Sequence, residues 1–286
     1  MAPAGKMIPL AAVLVAGTVW LSAGGCGDPA AQGILVEDIA LLDEASEPGS
    51  PVPSRPPSPA PPRSATKTGL VAYYPFDGDA RDASGRGNHG QIRKKVRFVP
   101  GVVGKAARFG GVDAPGCVYV KNSESLKFKR AFTIACYVQI LDPAGKDGYG
   151  RRADKAHQVF VAKYADPSGW VLYAHYNGWK IPTTGLTGNG RGAKWAGARV
   201  PTTKHLKRWM HLASVSDADG LRTYHDGKLV KSTSIPVDFA QANRHPMWIG
   251  RQGNTFPFHL NGMIDELRIY NRSLSQGEIQ GLMRSR

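Results

Sequence analysis

Glutamate is nearly missing from most of this chain. Of the 22 acidic residues in 286, six fall in residues 1–69, and among the 16 that follow only Glu124, Glu266 and Glu278 are glutamates. A glycosidase working with paired carboxylates needs one as acid and one as base or nucleophile at close range, and these three offer no such spacing. No Gly-x-Ser-x-Gly elbow or Ser-His-Asp arrangement occurs either. The histidines (His89, His157, His175, His205, His211, His225, His245, His259) show no metal-ligand spacing on a common helix, so zinc has a weak basis. The apolar run near the start, MIPLAAVLVAGTVWL, stops at fifteen residues, short of the ~20 a membrane-spanning helix needs.

What abounds is positive charge. Four of the 37 Lys/Arg (Lys6, Arg55, Arg63, Lys67) precede residue 70, so residues 70–286 carry 33 basic against 16 acidic side chains, a net +17. That excess favours polyanionic partners such as anionic glycans, lipid headgroups or nucleic acid. A solvated basic surface that only keeps the domain soluble is the alternative.

Residues 1–25 read as an export signal, with Lys6 as its positive start, the apolar run as its core and SAGGC as its small-residue end. Ending on Cys26, it resembles a bacterial lipoprotein signal, although Ala23 and Gly24 stand where that pattern prefers Leu and then Ala or Ser. The resemblance implies lipidation of Cys26 and a tether that does not cross the membrane; ordinary cleavage or an uncleaved anchor are the alternatives. The expected location is the cell envelope, at the outer membrane or cell surface, which sets nucleic acid aside as a partner. Residues 26–68 include PGSPVPSRPPSPAPPR, too rich in Pro and Ser to build a core, and read as a disordered, extended spacer.

The folded part is residues 69–286, long enough for one large core. Alternating apolar residues predict strands at Leu70–Phe76 and FTIACYV, and around Asp226-Gly227, a type I′ hairpin signal. From Met263 to Tyr270 the same alternation places Met263, Asp265, Leu267 and Ile269 on one face, and Ile264, Glu266, Arg268 and Tyr270 on the other. Ser275 and Glu278 form a capping box, with Leu274 and Ile279 as its staple, for a helix over Gln276–Met283. Residues 177–207 read as a long irregular loop with Trp179 and Trp195, many Lys/Arg and no acid. Cys117 and Cys136, the only cysteines after Cys26, would close a loop of about 18 residues worth ~3 kcal/mol if bridged; two free buried thiols are the other reading.

Three strings, GLVAYYPFDGDARDASGRGNHG, GKAARFGGVDAPGCVYV and IDELRIYNRSLSQGEIQGL, resemble the opening, middle and closing motifs of laminin-G-like (concanavalin A-like) jelly rolls. The implied fold is all-β, an antiparallel two-sheet sandwich with a short C-terminal helix. The resemblance also implies a structural calcium, held through Asp265, the Gly111 carbonyl and the Asp77 region, with Asp113 as a further candidate; pairing of Asp265 with an arginine or a loop is the alternative. Many relatives are glycosidases that set Glu-x-Asp-x-x-Glu on one strand, a motif missing here. The expectation is therefore a non-catalytic surface module for glycans, anionic ones above all, or for extracellular protein. Trp179 and Trp195 are its expected stacking platform, with Lys180, Arg191 and Lys194 as its cations. A hydrolase or lyase of the same fold, and a structural assembly protein, are the alternatives.

Overall fold

The computed structural model describes residues 67–128, 131–141, 157–165, 168–176, 182–189, 196–201, 207–234, 244–253 and 258–284. Its strands in chain order begin with β1 (Leu70–Tyr74), β2 (Gly90–Lys94), β3 (Val96–Pro100), β4 (Lys105–Gly110) and β5 (Gly116–Val120). There follow β6 (Phe132–Ile140), β7 (His157–Ala165), β8 (Ser168–Tyr176), β9 (Pro182–Asn189) and β10 (Ala196–Pro201). The last are β11 (Met210–Asp217), β12 (Gly220–His225), β13 (Lys228–Thr233), β14 (Met247–Ile249) and β15 (Asn261–Tyr270), before helix α1 (Gln276–Arg284).

One sheet has the order β13-β12-β11-β6-β15-β4-β3, with β1 also paired to β15; the other has the order β10-β9-β8-β7-β14-β5-β2. Every pairing is antiparallel. Alternating residues of both sheets meet between them. Phe132, Ile134, Cys136, Val138 and Ile140 of β6 join Val118, Val120, Phe160, Met247 and Ile249 of the opposite sheet in one buried cluster. Among the described residues no helix is long and apolar enough to cross a membrane.

The capping box forms as expected: the Glu278 amide donates to Ser275 Oγ at 3.2 Å, and the Ser275 amide to Glu278 Oε2 at 2.8 Å. Ile279 and Leu282 of α1 then pack with Leu274, Tyr270, Ala135, Val215 and Tyr224 on the back of the eight-stranded sheet. Asp226 and Gly227 both have positive φ, 48° and 73°, which is the backbone a two-residue I′ turn demands. Gln276 and Gln280 of α1 donate to the Gly227 carbonyl, fastening the helix to that hairpin.

Two expectations change. The alternation along β15 fails at Glu266, which takes a φ of 53°, and the register with β6 gains one residue between Asp265 and Arg268. This bulge shifts the phase, so Ile264 points into the core together with Leu267 and Ile269, while Tyr270 turns to the helix side. The stretch expected as one long loop contains β9 and β10, which pair in register from Ala196–Gly188 to Pro201–Thr183.

The cysteines are the third point. Cys117 and Cys136 are both free and buried. Cys136 lies in the core between the sheets, whereas the neighbours of Cys117 show that it faces the other way: Val118 and Val120 are the core residues of β5. Thiols on strands of different sheets, one inward and one outward, do not meet.

Candidate functional site

The outer face of the seven-stranded sheet carries an arginine and aromatic group built from segments far apart in sequence. Met247 and Ile249 point into the core, so Trp248 between them points out, and the same alternation turns Tyr119 out between Val118 and Val120. The register sets Gln91, Tyr119, Trp248, Ala162 and Val171 in one row across five strands. Tyr119 and Trp248 meet edge to face, ring centres 5.0 Å apart. Arg93, two residues from Gln91 and on the same face of β2, lays its guanidinium 3.8 Å from the Tyr119 ring centre and 5.1 Å from that of Trp248. Arg251, just past β14 and bridged to His259, approaches Trp248 from its own strand at 5.5 Å.

No carboxylate answers these cations: among the described residues the ion pairs do not include Arg93 or Arg251. Arg251 Nε, His259 Nδ1 and Asn261 Oδ1 are buried without a hydrogen-bond partner. Burial, then Arg251 and Lys94, push the His259 imidazole down to about 4, so it is neutral. Cys117 lies beside the same group, where burial raises its pKa against the opposing pull of Arg251, Arg93 and Lys94. This face is positive and able to donate several hydrogen bonds.

The expected calcium residues divide into two places. Asp265, fully buried, accepts the Val102 and Val103 amides on Oδ2 at 2.7 and 3.0 Å, while its Oδ1 has no partner. Burial drives its pKa up to about 6, although the Val103 and Val102 amides pull the other way. Asp77 grips the same loop through Oδ1, which accepts the Lys105 amide at 2.7 Å. Gly111 lies instead beside Asn261, at the start of β15, with its amide on the Leu260 carbonyl, and Asp113 follows in the turn after β4. Asp82 is a turn organiser: its two oxygens accept the amides of Tyr73, Ser84 and Asn88 and the Ser84 hydroxyl.

All three glutamates of residues 70–286 have structural partners. Glu266 accepts the Tyr73 hydroxyl at 2.7 Å and Arg268 Nη2 at 2.5 Å; Glu278 takes Arg272 Nη2 at 2.6 Å besides its cap; Glu124 pairs with Lys127 on the surface. Cys26 and the expected ligand residues Trp179, Lys180, Arg191, Lys194 and Trp195 lie outside the described residues. In sequence, Trp179 and Lys180 fall between β8 and β9, and the other three fall between β9 and β10.

Residues 116–280 match the family model of the concanavalin A-like lectin/glucanases superfamily. The chain belongs to that superfamily. Solved structures agree on this jelly-roll fold. Domain 4 of AbnA, a GH43 extracellular arabinanase from Geobacillus stearothermophilus in complex with arabinotriose, is similar over 74% of this chain and 97% of its own, at 22% identity and a TM-score of 0.57. The binding domain of Paraclostridial Mosquitocidal Protein 1 is 21% identical with a TM-score of 0.61, over 77% of this chain and 53% of its own. The binding domain of botulinum neurotoxin DC, in complex with rat synaptotagmin II, is 16% identical with a TM-score of 0.57, over 76% and 51%. The chain thus spans about half the length of the toxin domains it resembles. No curated protein matches it.

Proposed function

We propose that this superfamily member is a non-catalytic binding module of the cell envelope that takes a glycan on the outer face of its seven-stranded sheet. The observation that carries this is the group of Arg93, Tyr119, Trp248 and Arg251, two guanidinium groups on an aromatic floor with no carboxylate partner among the described residues. The partners already held by Glu124, Glu266 and Glu278 support binding over hydrolysis. The net +17 of residues 70–286 favours an anionic polymer. Residues 1–25 would be removed, Cys26 lipidated and residues 26–68 left as a stalk, presenting the domain at the outer membrane or cell surface.

A structural calcium belongs to the same proposal. Asp265 Oδ1, buried and unpartnered, fits a hard cation, with the Asp77 carboxylate on the same loop as its second oxygen source. The ion would steady the loop between β3 and β4 and take no part in any reaction.

The test is a glycan array with the full chain, run with calcium and with chelator, alongside an assay for reducing-sugar release from the same glycans. Binding without release is the expected result. Release of sugar ends the non-catalytic reading, and silence on every glycan, with binding to an extracellular protein, moves the ligand to that class.

A further inference from the structure

We infer that Arg93 and Arg251 form an oxyanion site, with Tyr119 and Trp248 as the floor that holds the guanidinium groups, so that this face reads the charged group of its glycan ligand and not the sugar ring. The inference rests on the binding-module reading. At 3.8 Å from the Tyr119 centre, the Arg93 guanidinium already occupies the ring surface on which a sugar would stack, and Trp248 is only 2% exposed. The aromatics therefore serve the arginines. A guanidinium backed by a ring keeps its in-plane N–H groups free, and these match the spacing of two oxygens on a carboxylate or sulfate.

Among the described residues no carboxylate competes for those donors, and the side chain that meets Arg251 through a hydrogen bond is the neutral Cys117 thiol. Neither arginine has a carboxylate partner among the described residues, and Arg251 Nε is buried with no acceptor. The groups around it are cationic or neutral: Lys94 lies on the same strand as Arg93, and His259, held neutral by burial and by Arg251, has a buried unpartnered Nδ1. Two guanidinium groups converging on one indole without a carboxylate between them repel each other, and an oxyanion there removes that cost. Carboxylate and sulfate are two common forms it takes on a glycan.

The experiment measures binding of the full chain to polygalacturonate, dextran sulfate and uncharged dextran over a series of salt concentrations. The variants are Arg93→Gln, Arg251→Gln, Arg93→Lys, and Lys228→Gln with Lys231→Gln, which removes two charges from the edge of the other sheet. Wild type should bind one or both charged polymers, weaken as salt rises, and ignore dextran; polygalacturonate alone assigns a carboxylate and dextran sulfate alone a sulfate. Each arginine-to-glutamine change should weaken binding at least tenfold with an unchanged thermal midpoint. Arg93→Lys should lose most of the affinity because it keeps charge without the planar stack, and the double lysine variant should bind as wild type. Equal weakening by the lysine variant would overturn the site in favour of net charge, and so would binding of dextran as tightly as the charged polymers. Failure on all three polymers and on the array defeats the module reading itself, whereas intact binding in the arginine variants defeats only this site.

Discussion

Asp265 accepts the amide of Val102 at 2.7 Å across 163 residues of sequence, joining the last strand to the loop between β3 and β4. The same carboxyl has a native pKa of about 6, raised from 3.8 by burial. A raised carboxyl means the native state holds its proton longer than the unfolded chain does. Its contribution is therefore full below about pH 4 and is lost as pH rises to about 6. Asp265→Asn should flatten the thermal midpoint between pH 4 and 6, a change read by calorimetry across that range; a slope identical to wild type would show that another group sets it.

The proposed calcium would act on the same carboxyl from the other side. Above pH 6, millimolar calcium should raise the wild-type thermal midpoint by several degrees and chelator should reverse it, with no effect on Asp265→Asn. An unchanged midpoint would end the cation proposal and leave the proton effect standing.

Both thiols of the domain should be silent in the native state. Dithiothreitol should leave the thermal midpoint unchanged. A Cys26→Ser chain should show no reactive thiol when folded and two when unfolded, by a chromogenic thiol reagent, because Cys117 and Cys136 are buried and burial raises the pKa of each.

Gly250 has a φ of 79°, and a Cβ there would stand 2.4 Å from Cδ1 of the buried Phe109. Gly250→Ala should cost about 1–3 kcal/mol through overpacking alone, more with the backbone strain, and lower the midpoint by roughly 2–4 °C per kcal/mol. A midpoint within one degree of wild type would mean that Phe109 yields freely.

The cap of α1 gives a smaller effect. Glu278→Ala removes the Ser275 amide bond and the Arg272 partner, and should cost about 1 kcal/mol. Its carboxyl has a lowered pKa: burial opposes ionisation, but Arg272 and Ser275 outweigh it. The stabilisation is therefore present at neutral pH and lost as pH falls through the acid range. Chemical denaturation at pH 7 and at pH 3 should show the variant penalised at the first and nearly neutral at the second.

The fold was legible because its signals are local: alternation in β6, the Asp226-Gly227 turn, and the box from Ser275 to Glu278. The phase of β15 was not, since a bulge at Glu266 leaves no mark in a pattern of alternating types until the pairing with β6 is known. Strands β9 and β10 were hidden by the glycines of both and the threonines of β9, which look like loop until each strand has the other as a partner. The arginine and aromatic group was illegible for a related reason. Trp248 flanked by Met247 and Ile249 reads as core, and only the strand order β2-β5-β14 brings Arg93, Tyr119 and Trp248 together.

That strand order also bears on how the chain comes to be folded. In the seven-stranded sheet β14 sits between β7 and β5, and in the eight-stranded sheet β15 sits between β6 and β4, so each central seat belongs to a strand that follows residue 246. Until those residues are available, the seven-stranded sheet is two pieces and the eight-stranded sheet is three, since β1 joins it through β15, and such open edges recruit other chains. A nascent chain must therefore be kept apart from its neighbours until β14 and β15 are made. A truncation before β14 leaves five separate groups of strands where an ordinary loss of terminal residues would leave a frayed domain.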